Sequence, residues 1–118
     1  MRYVDGYVLP VPKRNIKAYR RMARLGAKVF LEHGALEYRE CAGDHLDVPW
    51  GVPFPKALRL KKGETVVFAW VVFRSKAHRD RVNAKVMKDP RMTCIDMKTM
   101  PFDPKRMLYG GFTTLVEG

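Results

Sequence analysis

One uncharged stretch in the middle of the chain constrains the fold more than any other feature. No charged residue lies between Glu64 and Arg74, and nearly every residue from Thr65 to Phe73 is β-branched or aromatic. A half-exposed strand alternates apolar and polar side chains, whereas this segment is apolar on both of its faces. The sequence therefore predicts a central β-strand that is covered on both sides.

Three further segments predict strands that could pair with the central one. Tyr3–Val11 alternates and is rich in valine and tyrosine, and prolines near its end indicate a strand edge or terminus. Ala35–Ala42 also alternates, and Met107–Glu117 predicts the last strand. The turn at Lys61–Glu64 predicts that the second and central strands form an antiparallel pair.

Two segments predict helices of useful length. In Pro12–His33 apolar residues recur at three- and four-residue steps, while lysines and arginines recur on the opposite face. Gly34 is a natural stop for that helix. Ser75 is a suitable N-cap for a second helix, Lys76–Lys88, which ends before Pro90 because a residue preceding proline is pushed out of helical geometry.

The predicted order is β-α-β-β-α-β in a single domain of residues 1–118. Right-handed crossovers would place both helices on one face of a four-stranded antiparallel sheet, which is the ferredoxin-like arrangement of an α+β fold. Those helices cover only one face of the central strand. We expect a second copy of the protein to cover the other, giving a homodimer through the sheet face.

The chain also resembles a known family over essentially its whole length. The blocks that carry the resemblance, in the same order as in the family, are Tyr3–Pro12, Glu32–Cys41, Ala77–Ala84 and Met107–Phe112. They are similar to the YbaA-like bacterial family of unknown function, family 1428. The resemblance implies the dimeric α+β barrel architecture. It implies no established activity and no catalytic residues.

Several polar residues lie on faces that the pattern places inside. Asp5 lies between two tyrosines on the first strand, and Arg79 borders the apolar stripe of the second helix. A buried charge must be paired, and such pairs often line a pocket. The resemblance implies a pocket for a small organic molecule between sheet and helices, and we expect it to be lined by Tyr3, Asp5, Tyr7, Arg39, Trp70, His78 and Arg79. Trp50 or Phe54 would lie over its mouth.

A structural salt-bridge network is the alternative interpretation of these residues, for instance Asp5 or Glu37 with Arg39 or Arg79. His78 could act as an acid–base group, but it could equally form a local hydrogen bond in the first helical turn. The sequence fixes no nucleophile and no general base, so whether the protein is an enzyme stays open. The histidines and cysteines show no metal-ligand spacing, and we expect no metal and no cofactor.

The formal net charge of +11 allows a polyanionic partner. The alternative function is therefore nucleic-acid (RNA) binding through the basic faces of the two helices, with candidate residues Lys17, Arg20, Arg21, Arg24 and Lys28. Exposed aromatic residues for base stacking are not interleaved among them, and a dimer would close the sheet face that RNA-binding folds of this type use. A further alternative is a dimeric interaction module without chemistry.

The compartment is predicted from three sequence features. Asp5 lies where a signal peptide would need apolar residues, and no apolar run approaches the ~20 residues of a membrane span. Cys41 and Cys94 form no CxxC motif and no disulfide framework. We therefore expect a cytoplasmic protein with reduced thiols and no membrane partner.

Overall fold

The computed structural model describes residues 1–118 and has an α+β fold. An open sheet of four antiparallel strands is combined with four helices. In chain order the elements are β1 (Tyr3–Pro12), α1 (Ile16–Glu32), β2 (Glu37–Ala42), α2 (Phe54–Ala57), β3 (Glu64–Phe73), α3 (Lys76–Lys88), α4 (Pro90–Thr93) and β4 (Leu108–Thr113). None of the helices combines the length and the apolar character needed to span a membrane.

The uncharged stretch is a central strand, as predicted. The strand order is β2-β3-β1-β4, so β3 has a neighbour along each edge. It pairs with β1 from Tyr3 opposite Phe73 to Pro12 opposite Glu64, and it pairs with β2, which confirms the predicted antiparallel pair.

Three predicted boundaries differ from the structure for identifiable reasons. The first helix begins at Ile16 rather than Pro12, because Pro12 still pairs in β1 and a single 3₁₀ turn follows it. Strand β2 begins at Glu37 rather than Ala35, because the backbone N–H of Ala35 still donates to the Phe30 carbonyl at the end of α1. Strand β4 ends at Thr113, opposite Tyr3, because β1 begins at Tyr3 and has no further strand residue to pair with β4.

Both long helices pack on one face of the sheet. The side chains of β3 that point toward them are buried, and Val71 and Phe73 form a core cluster with Val29 of α1 and Val82 of α3. A second cluster joins Leu9, Val11, Tyr19 and Val67. Burying a side chain of this size stabilises the fold by about 1.5–3 kcal/mol, so these clusters fix α1 and α3 against the sheet.

The other face of the sheet is partly open. Val66 is buried, but Phe68, Leu108 and Phe112 of the same face are largely exposed. The segment between β2 and β3 covers one corner, where the Phe54 ring meets the Phe68 ring edge-on with centroids 6.5 Å apart. The remainder is apolar surface that this chain does not cover itself.

Candidate functional site

A carboxylate held by two tyrosines lies on the helix side of the sheet. Tyr38 and Glu40 alternate along β2 and therefore point to the same face, toward Tyr19 of α1. The Tyr38 hydroxyl donates to Glu40 Oε2 at 2.6 Å, and the Tyr19 hydroxyl donates to Glu40 Oε1. We call these three residues the Glu40 cluster.

Both tyrosines of the cluster are fixed as hydrogen-bond donors. Burial and the neighbouring carboxylate of Glu40 raise the pKa of Tyr19 and of Tyr38 well above the ordinary tyrosine value. A phenol in such surroundings keeps its proton at neutral pH and can donate a hydrogen bond to an acceptor. The charge of Glu40 is therefore stabilised by neutral hydroxyl groups rather than by a cation.

An open groove of about 370 Å³ runs between α1 and the edge strand β2. Its floor is mainly apolar, with the Glu40 cluster in its wall and arginines of α1 beside it. We call it the outer groove. Its lining residues are Ile16, Tyr19, Arg20, Ala23, Arg24, Ala27, Tyr38, Arg39, Glu40, Cys41, Ala42 and Val67.

A second cavity of about 180 Å³ lies deeper, between the sheet, α1 and the connection that follows α3. We call it the inner cavity. It shares Tyr19, Ala23, Tyr38 and Glu40 with the outer groove, so the Glu40 cluster lies where the two meet. Its other lining residues are Tyr7, Leu9, Met22, Gly26, Phe30, Ala69, Val71, Met92, Ile95, Met100, Phe102 and Met107.

The predicted pair of Asp5 and Arg79 forms in a separate cluster beneath α3. Asp5 is 0% exposed, and its Oδ1 lies 3.7 Å from Arg79 Nε. Its other oxygen accepts long hydrogen bonds from Tyr109 at 3.3 Å and Asn83 at 3.5 Å. Burial raises the pKa of Asp5 more than the guanidinium lowers it. Arg79 in turn donates to the Tyr3 hydroxyl at 3.0 Å.

Asp5 and Arg79 are thus paired in the manner of the salt-bridge interpretation, and Tyr3 is joined to them through Arg79. None of the three lines the outer groove or the inner cavity. Their contacts instead hold α3 against β1, next to the edge strand β4.

The other predicted pocket residues are scattered. Tyr7 lines the inner cavity, and Arg39 lines the outer groove. Trp70 points away from the helices, because side chains alternate along β3, and its Nε1 donates to Glu37 at 2.6 Å. The seven predicted residues therefore do not form one pocket, and Trp70 belongs to the opposite face.

His78 has a local structural role. It is buried in the first turn of α3, where its backbone N–H donates to the Ser75 hydroxyl at 3.1 Å. Its Nδ1 accepts from the backbone N–H of Arg74 at 3.0 Å. Burial and the surrounding arginines lower the pKa of His78, so a neutral ring acts as a hydrogen-bond acceptor at this helix start.

The two aromatic residues expected over the mouth of the pocket lie elsewhere in the fold. Phe54 packs on Phe68, which points away from the helices, and Trp50 is 77% exposed. Neither aromatic lines the outer groove or the inner cavity. The apolar loop between β2 and β3 instead packs toward the sheet face that lacks helices.

The Glu40 cluster was not among the predicted site residues. One signal for it was present, because Glu40 shares a strand face with Tyr38, which alternation directs toward the core. The partner Tyr19 lies on the apolar stripe of α1, but only the packing of α1 across β2 brings its hydroxyl to the carboxylate.

The basic residues of α1 are exposed, and none of the side chains Lys17, Arg20, Arg21, Arg24 and Lys28 forms an ion pair. Among them, Arg20 and Arg24 line the outer groove and the others do not. The structure contains no group of three or more histidine, cysteine or acidic side chains suited to hold a metal ion.

Comparison with known proteins places the chain in a family without an assigned activity. Residues 2–104 match the family model described as "Protein of unknown function (DUF1428)". The "Uncharacterized protein YbaA" of Escherichia coli K12 and that of Shigella flexneri are each 45% identical over 119 residues, covering 99% of both chains. The solved structure "De novo designed protein Foldit4" aligns with a TM-score of 0.47 and 14% identity over 99% of this chain and 100% of the other. The protein belongs to the DUF1428 family.

Proposed function

We propose that the protein binds a small organic molecule in the outer groove, between the sheet and α1. The observation that carries this proposal is Glu40, a carboxylate pinned by Tyr19 and Tyr38 in the wall shared by two cavities. Each carboxylate oxygen receives one of these bonds and can accept another. A mainly apolar groove with a few converging polar groups is typical of small-molecule sites.

The architecture that we propose around this site is a ferredoxin-like dimeric α+β barrel. The strand order β2-β3-β1-β4 and the packing of α1 and α3 on one face support it. The exposed Phe68, Leu108 and Phe112 on the other face support a homodimer formed sheet against sheet. Such a dimer leaves the outer groove of each subunit open, since the groove lies on the helix side. We also propose a cytoplasmic location.

RNA binding is a second candidate, supported by the unpaired basic residues of α1. Phosphate contacts need only accessible lysine and arginine side chains. A phosphate-binding surface would use all five basic residues alike, whereas the groove proposal gives a distinct role to Arg20 and Arg24. A dimeric interaction module without a ligand is the third candidate.

Native mass spectrometry of gently purified protein tests the proposal. Ala23 lines both cavities, and Ala23→Trp should block them, whereas Ala84→Trp on the exposed face of α3 is a matched control. We expect the wild type and Ala84→Trp to carry a small extra mass that Ala23→Trp lacks. Ala27→Leu, which narrows the outer groove alone, serves if Ala23→Trp does not fold. An extra mass that survives in the blocked variant would contradict the proposal.

A further inference from the structure

We infer that the ligand of this site is an organic acid with an apolar body, an aryl- or alkyl-carboxylic acid. Its apolar end occupies the inner cavity, and its carboxylate lies at Arg20 and Arg24 beside the outer groove. This inference rests on the proposed function and specifies the chemical class of the ligand.

The inner cavity selects an apolar group. Apart from Glu40 and the tyrosine hydroxyl groups, its walls are aliphatic, aromatic or methionine side chains, including Met22, Phe30 and Val71. Its volume is about 180 Å³, and an apolar cavity of about 150 Å³ is large enough to bind benzene. The methionines can adjust to the shape of a ring or a short hydrocarbon chain.

The outer groove selects an anion. Arg20 and Arg24 lie four residues apart on α1, so they are neighbours on one face of the helix. Neither is paired with an acidic side chain, and both line the groove. A guanidinium group offers donors in a planar fork that matches a carboxylate, so two of them one turn apart form a suitable receptor for a single acid group.

Glu40 determines which end of the ligand can enter the inner cavity from the outer groove. A second carboxylate beside Glu40 would be repelled, because no cation compensates its charge within the cluster. The acid group of the ligand must therefore remain on the arginine side. Since Glu40 can still accept hydrogen bonds, a hydroxyl or amide donor in the middle of the ligand would be tolerated there.

Isothermal titration calorimetry with 5-phenylpentanoate tests the inference, because this probe has a ring, a flexible chain and one carboxylate. We expect the uncharged 5-phenylpentanamide to bind at least about tenfold more weakly, as expected from loss of charged hydrogen bonds. The double variant Arg20→Gln/Arg24→Gln should reduce the affinity for 5-phenylpentanoate to a similar extent. The matched variant Arg21→Gln/Lys28→Gln has the same loss of charge outside the groove and should bind normally.

Filling the inner cavity tests the other half of the inference. Ala69 lines that cavity but not the outer groove. Ala69→Val should therefore reduce the affinity for 5-phenylpentanoate more than the affinity for the shorter pentanoate. Equal loss of binding in Arg20→Gln/Arg24→Gln and in Arg21→Gln/Lys28→Gln would overturn the inference in favour of general attraction of anions. If the acids do not bind while Ala23→Trp still removes an extra mass, the acid class is wrong and the groove remains the site. If no variant changes any bound mass, the proposed function fails as well.

Discussion

Tyr38 donates its hydroxyl to Glu40 across 2.6 Å, although both side chains belong to the same short strand. Tyr19 donates to the other carboxylate oxygen from α1. The contact between helix and edge strand is thus made through a charged group in the wall of a groove. This geometry links the stability of the α1–β2 contact to the chemistry of the site.

Replacing Glu40 with glutamine should weaken the fold moderately. The amide keeps the shape but offers one acceptor oxygen to two hydroxyl donors, and it loses charge-assisted hydrogen bonds. We expect the free energy of unfolding to fall by about 1–2 kcal/mol, measured by urea denaturation. Glu37→Gln is the control, because Glu37 is exposed on the opposite face of the sheet. An equal loss in both variants would contradict a special role for Glu40.

Alanine at Gly111 should destabilise the protein, whereas alanine at Gly110 should not. A Cβ at Gly111 would lie 2.8 Å from Cε2 of Tyr3 and closer still to its hydroxyl, which would displace the Tyr3 ring from Arg79. At Gly110 the nearest atom is Phe112 Cε1 at an ordinary 3.6 Å. Forced displacement of a packed ring costs about 1–3 kcal/mol, and thermal unfolding of both variants would measure the difference. Similar melting of the two would refute the predicted close approach.

Asp89 should make the fold sensitive to acid. Its carboxylate accepts from Arg91 Nη2 at 2.8 Å and from the backbone N–H of Arg91 at 2.9 Å, and it contacts His33 Nε2 at 2.8 Å. These contacts hold the pKa of Asp89 far below the ordinary value, and the hydrogen bond from the Arg91 side chain has the largest effect. A lowered folded pKa stabilises the protein above the unfolded value of about 3.9, and this contribution is lost as the pH falls below it. Asp89→Asn should therefore flatten the acid limb of stability against pH.

The contribution of Asp5 to stability should change with pH in the opposite direction to that of Asp89. Burial raises its pKa in the folded state, so its contribution is present below the unfolded pKa and is lost as the pH rises through the folded value. Relative to the wild type, Asp5→Asn should lose more stability at about pH 3 than at about pH 7, and Asp89→Asn the reverse. Urea unfolding at both pH values measures this, and parallel behaviour of the two variants would contradict the assignment.

Phe112 should be required for the proposed dimer. Its ring lies over Gly6 and Gly110 on the open face of the sheet, where it is 61% exposed in the single chain. Lysine at this position would place a charge in the sheet-to-sheet contact. We expect Phe112→Lys to be a 13.6 kDa monomer by light scattering, while Leu31→Lys on α1 remains a dimer. A monomeric wild type would contradict the sheet-face dimer.

The layout of the sheet could be predicted from the sequence because it follows from local patterns. The run of β3 is apolar on both faces, which is typical of a central strand, and the stripe of α3 directs Val82 and Val86 inward. The early end of β4 could not be predicted in this way, since it depends on where β1 begins.

The polar contacts outside and inside the candidate site differ in how far the sequence predicts them. The pairing of Asp5 with Arg79 was anticipated because both residues stand at inward-facing positions. The contact of Tyr19 with Glu40 was missed, since it depends on how α1 is rotated over β2, which no periodicity records. The prediction of Trp70 as a pocket residue disagrees with the alternation along β3, which puts its side chain on the other face of the sheet.

The most direct test of the central claim is a crystal structure of the protein purified from its native host at low salt. We predict electron density in the outer groove for a molecule in contact with the Glu40 cluster, continuing into the inner cavity. Ordered water alone in both cavities, with a bound organic molecule elsewhere on the chain, would contradict the account.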